Sequence, residues 1–302
     1  MSTTGVCGYR PRMVLNATKT SWQQGQDALR EQVRRVTNLL RSIEDPLPPA
    51  VGQWNLGEVA MHLSQVWRGV PGLARQDLTP FQELVPSLTG VAGDAPLRNI
   101  GELAEMTVLA VKSDPERDPR VLADRIEAQA QEYFSACAGA QPQTPRPWMV
   151  RGVTVDQSLL TYHLLNETLM HGYDIAHAAG RRWQIEPAHA AMVVGRFLIP
   201  VIQALGPRAM VDAGTAAGLH ATYDLRIRGG DRFHFIFNDG ALSVEDPSPR
   251  PVDCHISADP AAFLLVAWGR QSQWTAIATG KLLAWGRKPW LGPKFRGLMR
   301  NP

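Results

Sequence analysis

From residue 20 to about residue 205 the apolar positions recur at helical spacing, and each stretch opens on a helix-start signal. Thr20 with Gln23 is expected to open a first helix through "WQQGQDALREQVRRVTNLLRSI", which ends at the proline-rich "EDPLPPAVG". In "NLGEVAMHLSQVWRGV", Asn55 is followed three residues later by Glu58, the capping-box spacing. Asp118-Pro119 reads as an N-cap followed by proline at the first helical position, starting a third helix that runs to about Ala138. Thr154 and Gln157 have capping-box spacing again, ahead of a fourth helix that runs to Gly180. "PAHAAMVVGRFLIPVIQAL" is a fifth. Four long helices with long connections predict a bundle.

After about residue 215 the period changes to two. "HATYDLRIRGGDRFHFIFNDGALSV" alternates and carries turn signals at Gly229-Gly230 and at Asn238-Asp239-Gly240. "PVDCHIS" is a further strand, and "DPAAFLLVAWG" a short helix capped by Asp259 and started by Pro260. "WTAIATGKLLAWG" reads as a strand or hairpin. The fold class is therefore a four-helix bundle, residues 18–205, followed by a small α+β domain, residues 215–302.

Composition changes little in this picture. The 302 residues are 44% hydrophobic and 20% charged, ordinary for a soluble globular chain of two domains. A net charge of +3 with no dense Lys/Arg block gives no reason to expect a nucleic-acid partner. Cys7, Cys137 and Cys254 are too scattered for a disulfide framework or a zinc knuckle, and fit a reducing cytoplasm. "MSTTGVCGYRPRMVL" has arginines where a signal peptide has its apolar run. The longest apolar stretch is broken by Arg196 and Pro200, so no membrane span is expected.

The chemistry sits on the fourth helix, in "NETLMHGYD". Glu167 and His171 are one turn apart on a stripe with Leu160, Leu164 and Ile175, while Leu165, Leu169 and Ala176 lie opposite. A helix apolar on two faces is central, and an unpaired carboxylate there would cost several kcal/mol. His62 lies on the stripe of Val59, Val66 and Leu73 on the second helix, so it too should face the core. Two imidazoles and one carboxylate on facing helices can hold a cation and leave a coordination position open. The plainer reading, a satisfied Glu–His core pair, also stands at this point. His163, Glu167 and His171 on one helix diverge over about 12 Å of rise and do not make a ligand set. Asp174 is either an acceptor for a histidine N–H or a residue of the helix end. His177, His189 and His220 show no ligand pattern.

"WNLGEVAMH", from Trp54 to His62, together with the Glu-x-x-x-His-Gly-Tyr-Asp run from Glu167 to Asp174, resembles the mycothiol-dependent maleylpyruvate isomerases. These belong to the DinB-type metal-binding four-helix bundles. The resemblance covers roughly residues 20–205 and implies that His62, Glu167 and His171 bind a divalent metal, typically zinc. "VDCHISADPAAFLLVAWGR" and "GKLLAWG" are similar to the sterol-carrier-protein-type fold, which holds lipid when it stands alone. Here that domain is expected to close over the metal cleft. Arg270, in "WGRQ", is then a candidate to bind an anionic substrate, the plainer reading being a surface arginine after a helix.

What the resemblance implies chemically is a small thiol, mycothiol, activated for attack on a small-molecule electrophile. A free thiol with a pKa of about 8.5 is mostly protonated at neutral pH, and coordination to a metal deprotonates it. Addition to a double bond, rotation and elimination would isomerise maleylpyruvate, whereas addition or displacement alone would make an S-transferase. A hydrolase using metal-bound hydroxide, an Fe(II) oxygen site and a lipid-binding module built on the second domain remain as alternatives. The stretch at 77–117, between the second and third helices, is expected either to reshape the substrate mouth or to be an inert excursion.

Overall fold

The computed structural model describes residues 19–84, 97, 100–205 and 210–300. The signal-peptide expectation and Cys7 lie outside these residues, as does part of the 77–117 stretch. The helices are α1 (Lys19–Arg41), α2 (Leu56–Arg75), α3 (Thr79–Leu84), α4 (Leu103–Ser113), α5 (Pro119–Cys137) and α6 (Gln157–Ala178). They are followed by α7 (Pro187–Val193), α8 (Ile199–Leu205), α9 (Ala213–Ala216), α10 (Pro260–Ala267), α11 (Gln273–Ala278) and α12 (Phe295–Leu298). Two short ribbons, β1 (Pro49–Val51) with β2 (Trp54–Asn55) and β3 (Pro145–Pro147) with β4 (Thr154–Asp156), precede α2 and α6.

Helices α1, α2, α5 and α6 form the bundle. Both α1 and α2 pack against α5 and α6, so the consecutive helices α1 and α2 stand on the bundle's diagonal and α2 faces α6. Helix α6 is buried nearly all round, as its two apolar faces require. Buried indole N–H groups find hydroxyls on it: Trp22 donates to Thr161 at 2.7 Å and Trp67 to Thr168 at 3.2 Å.

Two caps form as expected. Asn55 and Glu58 exchange side-chain-to-backbone bonds at the start of α2, and Asp118 caps α5 ahead of Pro119. The Thr154–Gln157 box does not form. Thr154 is held extended in β4, α6 starts at Gln157, and no side chain caps it. The Gln157 side chain instead accepts from Arg146 Nε at 2.6 Å. Helix α6 ends at Ala178, and Gly180 takes the left-handed conformation, φ 66°, that terminates helices.

Strands β5 (His220–Ile227), β6 (Arg232–Asn238), β7 (Ala241–Glu245), β8 (Cys254–Ala258) and β9 (Leu282–Trp285) form one sheet in the order β7-β6-β5-β8-β9. Only β5 and β8 run parallel among its neighbouring pairs. Tyr223, Leu225, Phe233, Phe235 and Ile256 face a second core, and the intervening residues face the other side. The segment expected to be a strand or hairpin divides. Ser272 accepts from Trp274 N–H and starts α11, Gly280 at φ 67° follows the helix, and only then does β9 begin.

Helices α7 and α8 run on through five π-helical residues, Val194–Leu198, and belong to both cores. Val193, Phe197 and Val201 are buried in the bundle's core, and Val194 and Ile199 in the sheet's. Pro187–Leu205 is long and apolar enough by composition to cross a membrane, with 56% of its window buried inside the protein. Its apolar surface is thus largely accounted for by packing between the two domains.

Candidate metal centre

The capping box fixes the start of α2 so that His62, two turns in, faces α6. Glu167 and His171 come up opposite it, on α6. One donor atom from each of the three residues lies within 4.8 Å of the others. Glu167 Oε2 is 3.6 Å from His62 Nε2 and 3.3 Å from His171 Nε2. These separations are long for charge-assisted hydrogen bonds, which settle near 2.8 Å. Three donors thus surround a point without closing on one another. The side chains of His62, Glu167 and His171 are 15%, 14% and 11% exposed.

Rings and glycine shape the surroundings. Trp54 packs on His62 with ring centroids 5.5 Å apart, and the two histidine rings meet edge-on at 4.8 Å. Gly172 follows His171 because the Trp183 ring lies against it: a Cβ there would come within 2.4 Å of the indole. His163 stands just outside the trio, its Nε2 3.8 Å from the other Glu167 oxygen and its ring stacked on Phe197 at 4.9 Å. Its Nδ1 is buried with no hydrogen-bond partner.

The second domain reaches this cluster through one turn, Trp268-Gly269-Arg270. Arg270 Nε and Nη2 donate to the two oxygens of Asp174 at 3.0 and 2.8 Å, and Asp174 lies 3.1 Å from His171 Nδ1. Trp268 Nε1 donates to Asn166 Oδ1 at 3.0 Å, and Asn166 Nδ2 donates to Glu167 Oε1 at 3.1 Å. Asp174 therefore serves as an acceptor beside the histidine. Arg270 is not a surface arginine, being 18% exposed, and its fork is committed to Asp174 and to the Trp268 carbonyl. The anion it grips in this structure is Asp174. Asn166 and Trp268 were not singled out in the sequence, and nothing local marks a pair 102 residues apart.

Burial works against charge on His171, yet hydrogen bonds with Asp174 and Glu167 outweigh it and raise its pKa to about 9. Burial also opposes ionisation of Glu167, but His171 and His62 hold it well below the ordinary carboxylate range. Burial lowers His62. The cluster is an ionised carboxylate with positive charge on His171 beside it.

The centre opens into a cavity of about 900 Å³ between the bundle and the sheet. Helix α4, from the 77–117 stretch, supplies a wall through Met106, Thr107 and Val108, so the described part of that stretch is not an inert excursion.

Residues 22–176 match the family model described as mycothiol maleylpyruvate isomerase N-terminal domain, and residues 202–286 match the SCP-2 sterol transfer family. No curated protein matches the sequence. Among solved structures, a mycothiol-dependent maleylpyruvate isomerase is similar at TM-score 0.47 and 12% identity, covering 87% of this chain and 92% of that one. A point mutant of such an isomerase is similar at TM-score 0.48 and 11% identity, with the same coverage of 87% and 92%. A stereoselective inverting sec-alkylsulfatase from Pseudomonas sp. follows at TM-score 0.30 and 13% identity, covering 72% of this chain and 31% of that one. At these scores and identities no chemistry transfers from the solved structures.

Proposed function

The chain belongs to the mycothiol maleylpyruvate isomerase family, and from that membership we propose that it is a divalent-metal-dependent enzyme activating mycothiol for addition to an electrophile. One observation carries the reading. Two imidazole nitrogens and a carboxylate oxygen surround one point at separations too long for good hydrogen bonds, on the wall of a large cavity. Two histidines and a glutamate are a donor set that suits zinc with an open position. Bound there, zinc would lower the pKa of a thiol so that it is a thiolate at neutral pH.

The chain's own residues prepare that chemistry. Asp174, accepting from His171 Nδ1, sets the ring so that Nε2 is aimed at the cluster, and Arg270 fixes Asp174. Asn166 occupies one oxygen of Glu167 and leaves the other to face the histidines. Among the described residues, Cys137 and Cys254 are buried and neither lines the cavity, in keeping with a thiol supplied by a cosubstrate. Both are free. Isomerase and S-transferase share the first step, sulfur addition, and differ in whether the adduct is released as an isomer. The family's name favours the isomerase.

The test is elemental analysis of protein purified without chelator or tag metal, beside the His62→Ala/Glu167→Ala/His171→Ala variant. Near-stoichiometric zinc in the parent and none in the variant is the expected result. Failure of both proteins to retain offered zinc would sink the proposal.

A further inference from the structure

Most of the cavity wall is apolar. His62, Gln65, His163, Asn166, Glu167 and His171 line it from α2 and α6. The second domain contributes Phe235 and Ile256 from the sheet and Phe263, Val266, Ile277 and Phe295 from its helices, with Arg270, Gln273, Arg296 and Arg300 as its polar lining. Arg270 is held by Asp174 and Arg296 donates to the carbonyls of Val266 and Met299, while the half-exposed Arg300 lies 4.0 Å from Asp212. An apolar body placed against this wall would gain by leaving water. The volume, about 900 Å³, lies at the upper end for sites that enclose drug-sized ligands.

We propose that the electrophile carries an extended apolar body, on the order of ten carbons or more, that lies against the second domain while its activated double bond reaches the His62–Glu167–His171 cluster. The inference rests on the thiol-activating reading and names the substrate class for it. The reacting end is an alkene conjugated to a carbonyl. Sulfur bonds to its β-carbon and the thiol's proton goes to the α-carbon. In an isomerisation, rotation about the new single bond is followed by loss of a proton from the α-carbon and breaking of the S–C bond at the β-carbon, which restores the double bond and regenerates the thiol. The sheet's aromatic inner face and α4 act as the two sides of a slot that selects length.

The experiment uses the full chain with a series of straight-chain alk-3-en-2-ones, from roughly six to roughly fifteen carbons. Two quantities are read: kcat/KM for mycothiol-dependent conversion of the enone, to adduct or to geometric isomer, by the zinc-loaded protein, and displacement of a fluorescent polyene fatty acid from the zinc-free protein. Both should improve by about threefold to fourfold per methylene until the chamber is full. Ile277→Trp narrows the slot from the second domain, and Val108→Trp narrows it from an exposed position on α4. Each should move the plateau to shorter chains. Turnover of the short enone with no gain from length, or a plateau that neither variant shifts, overturns the apolar substrate and leaves the thiol chemistry standing. A length effect in displacement with no mycothiol-dependent conversion of the enone at any length overturns the thiol reading, and the substrate class with it.

Discussion

Two buried polar clusters sit in this protein, one in the bundle and one on the sheet, built from nearly the same residue types. On the sheet, Asp224 is fully buried and lies directly across from His234 on one neighbouring strand and His255 on the other. Its oxygens receive Arg232 Nε at 2.5 Å, His255 Nδ1 at 2.6 Å and Arg226 Nε at 2.7 Å. These three donors close on the carboxylate and leave no gap at its centre, while His234 stands back at 3.8 Å with neither ring nitrogen hydrogen-bonded. In the bundle, the corresponding separations from Glu167 to His62 and His171 are 3.6 and 3.3 Å, and a cavity lies alongside. The difference teaches that residue type alone does not mark a reactive site. A cluster that saturates itself holds strands together, whereas one held slightly apart has capacity left for a guest.

The largest effect should come from breaking the closed cluster. Asp224→Asn removes the anion beneath Arg226 and Arg232. Those two side chains are 42% and 45% exposed and can turn toward solvent, so the loss should sit at the lower end for a broken buried pair, about 3 kcal/mol. Zinc content should be unchanged, since this cluster shares no residue with the other. Chemical denaturation and elemental analysis of one preparation decide it. Zinc lost along with stability would mean the two clusters are not independent.

Acid should sharpen the same contrast with a smaller effect. Burial raises the Asp224 pKa, but Arg232, His255 and Arg226 overcome it and bring it from an ordinary 3.8 down to about 2. His234, on β6, also faces it, at 3.8 Å. A carboxyl depressed on folding contributes stability that is fully present above its unfolded pKa and is lost as pH falls through its folded one. Here that contribution is about 2 kcal/mol. The stability gap between the parent and Asp224→Asn should therefore close by about this much between pH 5 and pH 2. A gap constant across that range would contradict the assignment of the shift to Asp224.

The open cluster was legible in the chain because its signal is local. Glu167 and His171 are one helical turn apart, and the Asn55–Glu58 box sets where α2 begins and hence where His62 points. Much of what surrounds it was not legible. Thr154 and Gln157 have the spacing of a box, yet ribbon pairing with Pro145–Pro147 overrides it. The Ser272 cap of α11 was masked by an apolar run that also fits a strand. Asp224 was visible only as one polar position in an alternating strand, because its partners are chosen by register across two neighbours. The same reason hid the Trp268–Asn166 bond and the fork between Arg270 and Asp174.

Arg270 offers the finest test, with the smallest effect. Its fork meets both oxygens of Asp174, a geometry that lysine cannot reproduce with one ammonium group. Arg270→Lys should keep the charge and the fold but let Asp174 and the His171 ring turn, weakening zinc by about tenfold in competition with a chelator. Asp174→Asn should cost a similar factor. If the two residues act as one unit, the double variant will bind zinc little worse than either single one. Additive losses would mean that Arg270 reaches the centre by another route. A raised KM with zinc affinity untouched would return it to the role of substrate anchor, gripping an anion in the cavity as its sequence context first implied. The comparison with the sheet would then need revision, because a guanidinium free to leave its carboxylate for a ligand would belong to a cluster that opens in turnover, which the Arg232–Asp224 pair, closed at 2.5 Å, does not.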